Sequence, residues 1–332
     1  MSAVSRPPFD PRSLRIPLVA APMLRISDLA LTSAVIRAGI VGAFPTLNAR
    51  STAGLEEWLT RLDAVQREPG AGPYCPNLVM KDRNALAHAE LVARSDARLV
   101  ITSVGSPAPV ADLFADAGIA VFSDVATVEH ARKAAAAGVT GLVLLTAGAG
   151  GQTGWLNPFA FVTAVREFFD GPLVLAGGMT GGRSLAAARV AGYDLAYAGT
   201  AFMAAAEAPT RDDHARLLVD SGPDDVVLTR AFTGLPTNML RASIEASGLD
   251  PENLDEDVTP EDASDLFGNR AREIGPKRWT DVQSAGHSVA GVHALEPAAS
   301  IVDRFAREYR AALADVHAPA QSAPVPTADR KT

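Results

Sequence analysis

The chain has little cysteine, no long apolar run and no excess of positive charge. Cys75 is the single cysteine among 332 residues, which excludes an internal disulfide framework and any CxxC metal or redox motif. No apolar stretch is longer than a strand, so we expect no membrane-spanning segment. The formal net charge is −8 and like charges do not form blocks, which argues against nucleic acid as a partner.

The sequence also lacks the motifs of several protein classes. It contains no Gly-Lys-Ser or Gly-Lys-Thr, which excludes a P-loop. No cluster of His, Cys, Asp and Glu has metal-ligand spacing, so we expect no metal. Residues 1–8 carry no apolar core of a signal peptide, so we expect the cytoplasm rather than secretion. Monomer and homodimer both stay open.

Apolar strands and Ala/Leu-rich helical segments alternate through residues 1–205. The pattern gives about eight strand-then-helix units, and such alternation predicts an all-parallel sheet with helices outside. This number of units favours a closed (β/α)8 TIM barrel over an open doubly wound sheet. The predicted strands cover residues 16–23, 40–44, 74–79, 99–103, 119–123 and 141–146, and the stretches that begin at Leu173 and Leu195.

The pattern changes after Phe202. Residues 206–285 are richer in Asp, Pro and Asn and show helical pieces without strand alternation. We predict that they form a small helical extension that covers the barrel mouth as a lid. Residues 286–317 end in a last amphipathic helix. Residues 318–332 carry too little apolar bulk to order, so we predict a disordered tail.

Three strands end in glycine-rich turns. Strand 141–146 runs into the loop Ala147–Gly154, and the later strands end in Ala176-Gly-Gly178 and Ala198-Gly-Thr200. At the carboxyl edge of a parallel sheet, free backbone amides hold phosphate, and glycine lets the phosphate approach them. The turns therefore predict a phosphorylated cofactor. The loop is not a dinucleotide fingerprint, because Thr153 stands where a third glycine is needed.

Several segments follow one another in an order that is specific as a set. They are Pro17–Met23, Asn77, the glycine loop with Gln152, Ala176-Gly-Gly178, Gly199-Thr200 and Ser284-Ala-Gly-His287. By these segments the chain resembles the nitronate monooxygenase family, FMN enzymes built on a TIM barrel, from about Leu14 to Leu313. The resemblance implies FMN as the cofactor and a small nitronate and O2 as substrates.

The resemblance also implies particular site residues. It brings residues 286–317 back beside the flavin and assigns catalytic groups to Gln152 and His287. Four residues, Gly177, Gly178, Gly199 and Thr200, would hold the phosphate. The other implied cofactor-binding residues are Ala21, Pro22, Met23, Asn77, Ser103, Asp124, Gly150 and Gly151.

Gln152 departs from the family pattern. Members that oxidise neutral nitroalkanes carry a histidine here as the base, whereas glutamine cannot take a proton at neutral pH. An anionic nitronate needs no deprotonation, so nitronate oxidation is still implied, whereas activity on neutral nitroalkanes is not expected. His287 takes the place of a residue that family members bring beside the flavin, so we expect it to supply a polar or protonatable group.

Other titratable residues carry weaker expectations. An acid would repel a phosphate, so we expect Asp124 to face hydroxyls or backbone donors. His130 and His214 lie in helical segments and are expected at the solvated surface. Cys75 is expected to be a buried structural thiol.

Three alternative functions stay open. The first is an NAD(P)H-dependent flavin reductase that acts on an enoyl thioester or a quinone. The second is a phosphosugar-processing barrel without redox chemistry. The third is a flavin-binding protein without turnover.

Overall fold

The structure is a computed structural model that describes residues 9–267 and 276–317. The predicted disordered tail, residues 318–332, lies outside these ranges. Among the described helices, none is both long and apolar enough to cross a bilayer. The same ranges contain no group of three or more His, Cys, Asp or Glu side chains placed to hold a metal ion.

Eight parallel strands close into a barrel in chain order, which confirms the predicted (β/α)8 fold. Each strand pairs with the next, and the last returns to the first, where Ala20 pairs with Ala198. The strands are β1 (Leu18–Ala20), β2 (Val41–Pro45), β3 (Tyr74–Val79), β4 (Leu99–Ser103), β5 (Ala120–Val125), β6 (Gly141–Leu145), β7 (Leu173–Ala176) and β8 (Leu195–Ala198).

The strands are buried on both faces. In β6, Val143 fills the barrel interior while Leu142 and Leu144 pack against the surrounding helices. Cys75 is fully buried in the interior and forms no disulfide, which confirms the expectation of a structural thiol. A strand without a solvent face has no polar alternation, and this is why continuous apolar runs identified the strands from sequence.

Helices alternate with the strands on the outside of the barrel. Several begin at side-chain caps: Asp28 accepts a hydrogen bond from the Leu31 amide, and Ser51 accepts one from the Gly54 amide, as N-cap residues do. The helices are α1 (Leu29–Arg37), α2 (Thr52–Gln66), α3 (Ala85–Arg94), α4 (Ala108–Asp116), α5 (Val128–Ala136), α6 (Pro158–Arg166), α7 (Gly182–Val190) and the short α8 (Thr200–Met203).

The terminal helix α12 (Ala298–His317) completes the outer ring, because it packs against both α7 and α1. Glu308 accepts a hydrogen bond from the Gly182 amide at 2.7 Å. A Cβ at Gly182 would lie 2.1 Å from the Phe305 carbonyl oxygen, so glycine is required where the two helices meet. The barrel is therefore finished by residues far from its last strand.

The described residues 204–267 and 276–297 form an insertion between α8 and α12. It contains helices α9 (Asp212–Asp220), α10 (Arg241–Ala246) and α11 (Pro260–Phe267), and two strands, Val226–Thr229 and Thr237–Leu240. These strands form a three-stranded antiparallel sheet with Gly151–Gln152. The prediction of a strandless extension was therefore wrong. Short strands packed on a separate small core, which includes Phe232 and Met239, give no long alternating run to recognise.

Candidate active site

A cavity of about 510 Å³ lies at the carboxyl ends of the barrel strands, between the strand ends and the insertion. It brings together twelve predicted cofactor residues and Gln152. Those that line it are Ala21, Pro22, Met23, Asn77, Ser103, Asp124, Gly150, Gly151, Gln152, Gly177, Gly178, Gly199 and Thr200. Among the predicted site residues, His287 does not line this cavity.

Two of the three glycine turns present free backbone amides. No acceptor within the described residues takes the amide hydrogens of Gly177, Gly178, Gly199 or Thr200. The φ of Gly178 is +70°, and a Cβ built there would meet nothing within 4 Å. The Thr200 hydroxyl accepts a hydrogen bond from the Gly286 amide at 3.1 Å and keeps its own proton to donate. This arrangement of donors around open space suits a phosphate.

The third glycine turn, Ala147–Gly154, is used differently. The Ala149 and Thr153 amides donate to the carbonyl oxygens of Thr146 and Pro236. Asn238 donates from its side chain to the Ala149 carbonyl at 2.7 Å. The expectation of free amides was therefore wrong for part of this turn, whose backbone joins the sheet of the insertion, although the Gly148 and Gly150 amides have no acceptor among the described residues.

The loop glycines permit close backbone packing. A Cβ at Gly150 would lie 2.8 Å from the Gly286 nitrogen, and a Cβ at Gly286 would lie 2.6 Å from the Gly148 oxygen. The His287 amide donates to the Gly148 carbonyl at 2.9 Å. The backbone of the segment 284–287 therefore packs directly against the backbone of the loop. In this arrangement the His287 side chain is exposed, so the structure does not bring its imidazole to the cavity.

We predict that Gly286→Ala destabilises the protein by about 1–3 kcal/mol, because the new methyl group would overlap backbone atoms of the glycine loop, which cannot move away. Gly222→Ala is the matched control, since its Cβ would meet nothing closer than the Asp225 carboxylate at 3.8 Å. Urea unfolding of both variants measures the free energy. Equal losses in the free energy of unfolding for the two variants would contradict this close backbone packing.

Asn77 lies within β3 and is buried. Its Nδ2 donates to the Ser103 hydroxyl at 3.1 Å and approaches the Ile101 carbonyl at 3.4 Å. The two predicted residues therefore form one polar pair across β3 and β4. A hydrogen bond from Asn77 to a ligand requires one of these contacts to be exchanged.

Asp124 lies at the floor of the cavity, where its Oδ1 is sealed from solvent and has no hydrogen-bond partner among the described residues. We expect Asp124 to face hydroxyls or backbone donors, and since no described protein group donates to Oδ1, the hydroxyls of a ligand stay its predicted partners. Burial raises the pKa of Asp124 to about 7. Tyr197, also buried with an unpartnered hydroxyl, lines the same cavity, and burial followed by the Asp124 charge raises its pKa. Unpartnered polar groups at a cavity wall are suited to a polar ligand.

His214 is a cavity residue that the sequence did not reveal. It is 8% exposed and lines the cavity, so the expectation of a solvated surface residue was wrong. Its Nε2 lies 3.1 Å from the Ser284 carbonyl, and since a carbonyl only accepts, Nε2 carries the proton and Nδ1 is the acceptor of the neutral ring. Burial lowers the pKa of His214, which favours that neutral ring at pH 7.

The closed parallel barrel, with a roofed cavity at the carboxyl ends of its strands, is the architecture of a barrel enzyme. The family model for nitronate monooxygenase matches residues 10–254. The chain belongs to the nitronate monooxygenase family.

The chain is also similar to individual proteins. A nitronate monooxygenase from Paraburkholderia phytofirmans is 26% identical over 342 residues, covering 90% of this chain and 93% of that enzyme. The (3aS,4S,5R,7aS)-5-hydroxy-7a-methyl-1-oxo-octahydro-1H-indene-4-carboxyl-CoA dehydrogenase of Mycobacterium tuberculosis is 27% identical over 234 residues, covering 69% of this chain and 64% of that enzyme. FabK from Thermotoga maritima superimposes with a TM-score of 0.77 at 21% identity, over 91% of this chain and 95% of that one, a likeness that shows the fold.

Proposed function

We propose that the protein is an FMN-dependent oxidoreductase that oxidises alkyl nitronates with O2, as a nitronate monooxygenase. The observation that carries the proposal is the cavity with the free amides of Gly177, Gly178, Gly199 and Thr200 on its wall. These amides fit the doubly charged phosphate of FMN, and the carboxyl of Asp124, which lines the same cavity, fits the hydroxyls of the ribityl chain. Family membership and the Paraburkholderia relative support the same activity.

Bound FMN would accept electrons from the nitronate and pass them to O2. The residues of the chain bind and orient the substrate and exclude bulk water. Gln152 lines the cavity, and its side-chain amide donates a hydrogen bond to the nitronate oxygens. Because the glutamine amide is not a base, it takes no proton from the substrate.

His214 gives the cavity a proton acceptor that Gln152 cannot supply. A neutral nitroalkane must lose a carbon-bound proton before it reacts as the anion, and Nδ1 of the neutral His214 ring accepts that proton. With Nε2 held by the Ser284 carbonyl, the ring has one tautomer and a fixed orientation. We propose that neutral nitroalkanes are substrates as well as nitronates.

The proposed function is tested by the visible spectrum of the pure protein and the identity of the released chromophore. We expect a yellow protein that releases FMN on denaturation and consumes O2 when propionate 3-nitronate is added. A colourless protein without FMN favours the phosphosugar-processing alternative. A yellow protein that is inert toward nitronates and reduced nicotinamides alike favours a flavin-binding protein without turnover.

Gln152→Glu tests the anion-binding role. The substitution keeps the size of the side chain but places a negative charge near an anionic substrate. We expect kcat/KM for propionate 3-nitronate to fall roughly tenfold to hundredfold, mainly through KM. FMN retention is the control measurement, and a loss of FMN would assign Gln152 to the cofactor instead.

An NAD(P)H-dependent reductase that acts on a thioester or a quinone is the second candidate. The Mycobacterium tuberculosis relative, whose name describes a dehydrogenase of a CoA ester, supports this second candidate function. Anaerobic mixing with NADH or NADPH separates the two functions. Rapid bleaching of the flavin supports the reductase, and its absence supports the monooxygenase.

A further inference from the structure

A second cavity, of about 910 Å³, opens beside the active-site cavity. We call it the arginine groove. Leu24, Leu47, Arg278 and Trp279 line both cavities, so the two adjoin at these side chains. The chemistry of the groove is set by Arg25, Arg50, Arg278, Trp58, Trp279 and Asp28.

The groove is positively charged in a chain whose net charge is −8. Among the described residues, three arginines line it against one carboxylate, Asp28, and the Asp28 side chain caps helix α1 through the Leu31 amide. Neither Arg50 nor Arg278 forms an ion pair with a carboxylate in the part of the chain that the structure describes. The surface is therefore suited to an anion.

Arg278 lies at the junction of the two cavities. It is partly buried, and its Nη1 donates to the Phe232 carbonyl at 3.0 Å, which fixes the guanidinium. Burial lowers its pKa, so the charged form is incompletely solvated in the protein alone. A cation held in this way gains from an anionic ligand that replaces the lost water.

Three residues that line the groove have an uncommon backbone conformation. Arg25, Arg50 and Trp279 have φ values of 65°, 66° and 65°, in the left-handed region that residues other than glycine seldom occupy. The Arg25 amide is held by Asn48 Oδ1 at 2.9 Å, and Asn48 in turn donates to the Met23 carbonyl at 3.0 Å. Such conformations persist where the surrounding structure fixes them, often at ligand sites.

We propose that the arginine groove binds the phosphorylated adenosine end of a nucleotide-linked ligand, whose reactive end extends into the active-site cavity. Planar guanidinium groups bind phosphates in a bidentate manner, and indole rings stack on a base. CoA thioesters and NADPH both carry adenosine with a diphosphate and a ribose phosphate. A small alkyl nitronate carries none of these groups, so the inference goes beyond the proposed function and does not depend on it.

Tryptophan fluorescence reads out binding without turnover. The sequence has three tryptophans, of which Trp58 and Trp279 line the groove, while Trp155 is 81% exposed and lines neither cavity. A Trp155→Phe protein therefore reports the groove. We titrate it, as purified, with adenosine 3′,5′-bisphosphate, the phosphate pattern of CoA, and with adenosine 2′,5′-bisphosphate, that of NADPH.

We expect saturable quenching with a Kd below roughly 1 mM for at least one bisphosphate, weakened by added salt. Tighter binding of the 3′,5′ isomer identifies a CoA thioester as the source, and tighter binding of the 2′,5′ isomer identifies NADPH. Equal affinity supports the shared adenosine phosphate chemistry. Absence of saturable quenching by both isomers overturns the proposal.

Variants test whether the arginines bind the ligand. We expect Arg50→Gln and Arg278→Gln each to raise the Kd roughly tenfold or more, since each removes a charge-assisted hydrogen bond. Arg50 is exposed, so its variant remains informative if Arg278→Gln fails to fold. Arg83→Gln, an exposed position outside both cavities, is the matched control. Equal weakening by Arg83→Gln overturns the proposal, because it shows general charge attraction.

Discussion

Replacement of His214 by glutamine is expected to lower kcat/KM for neutral nitroalkanes by roughly 10²–10⁴-fold, the range of general-base catalysis. The glutamine side chain can still donate to the Ser284 carbonyl that His214 Nε2 contacts at 3.1 Å, so the fold of this wall is kept. Oxidation of a preformed nitronate needs no base. We therefore expect its kcat/KM to change by less than about threefold.

The pH profile separates a base from a structural residue. Burial, partly offset by the Ser284 carbonyl, lowers the pKa of His214 from the usual 6.5. Nitroalkane kcat/KM should therefore fall as the pH drops through that lowered pKa, because the protonated ring cannot accept a proton. The charged neighbours, Asp213 and Arg211, pair with each other at 2.9 Å. The acid limb should vanish in the variant, and an equal loss on both substrates would contradict the role of a base.

Asp124→Asn is expected to stabilise the cofactor-free protein at pH 8 by up to about 4 kcal/mol. Burial raises the pKa of Asp124 to about 7 from the usual 3.8, so the folded state holds its proton more tightly than the unfolded state does. Stability from this group is present at low pH and is lost as the pH rises from about 4 to about 7. An amide does not ionise and removes that loss.

Urea unfolding at pH 5 and pH 8 measures the effect. Asp262→Asn is the control, because Thr259 donates to the Asp262 carboxylate from its hydroxyl at 2.6 Å and from its amide at 3.1 Å, and these bonds lower the pKa of Asp262. That variant should be less stable than the parent at pH 8. If Asp124→Asn also destabilises at pH 8, the carboxyl is satisfied within the protein and our account of the cavity floor is wrong.

The barrel could be predicted from sequence because each strand is a short, continuous apolar run. β3 and β4 have the predicted bounds, and β5 begins one residue later than predicted, at Ala120. Boundaries at the cavity were less regular: β1 is limited to Leu18–Ala20, since Ala21, Pro22 and Met23 leave the sheet to line the cavity. Continuous apolar runs indicate strands, whereas strand ends depend on the surrounding fold.

In the insertion, sequence patterns could not predict which side chains reach the cavity. The position of His214 depends on how α9 docks against the segment 284–287, a contact between residues 70 apart in sequence. The position of the His287 ring depends on the fold in the same way: the peptide that carries it returns to the cavity, but the ring lies against Gly148 on the exposed side. A sequence match places a peptide and does not determine the direction of its side chains.

The position of α12 has a consequence for how the protein folds while it is being synthesised. The helix that covers β8 is synthesised only after residues 204–297, so a nascent chain that ends before Ala298 leaves the apolar flank between α1 and α7 bare. The outer ring of helices is therefore complete only after residues 298–317 have been synthesised. During that interval, the unfinished ring is a surface for chaperones to recognise.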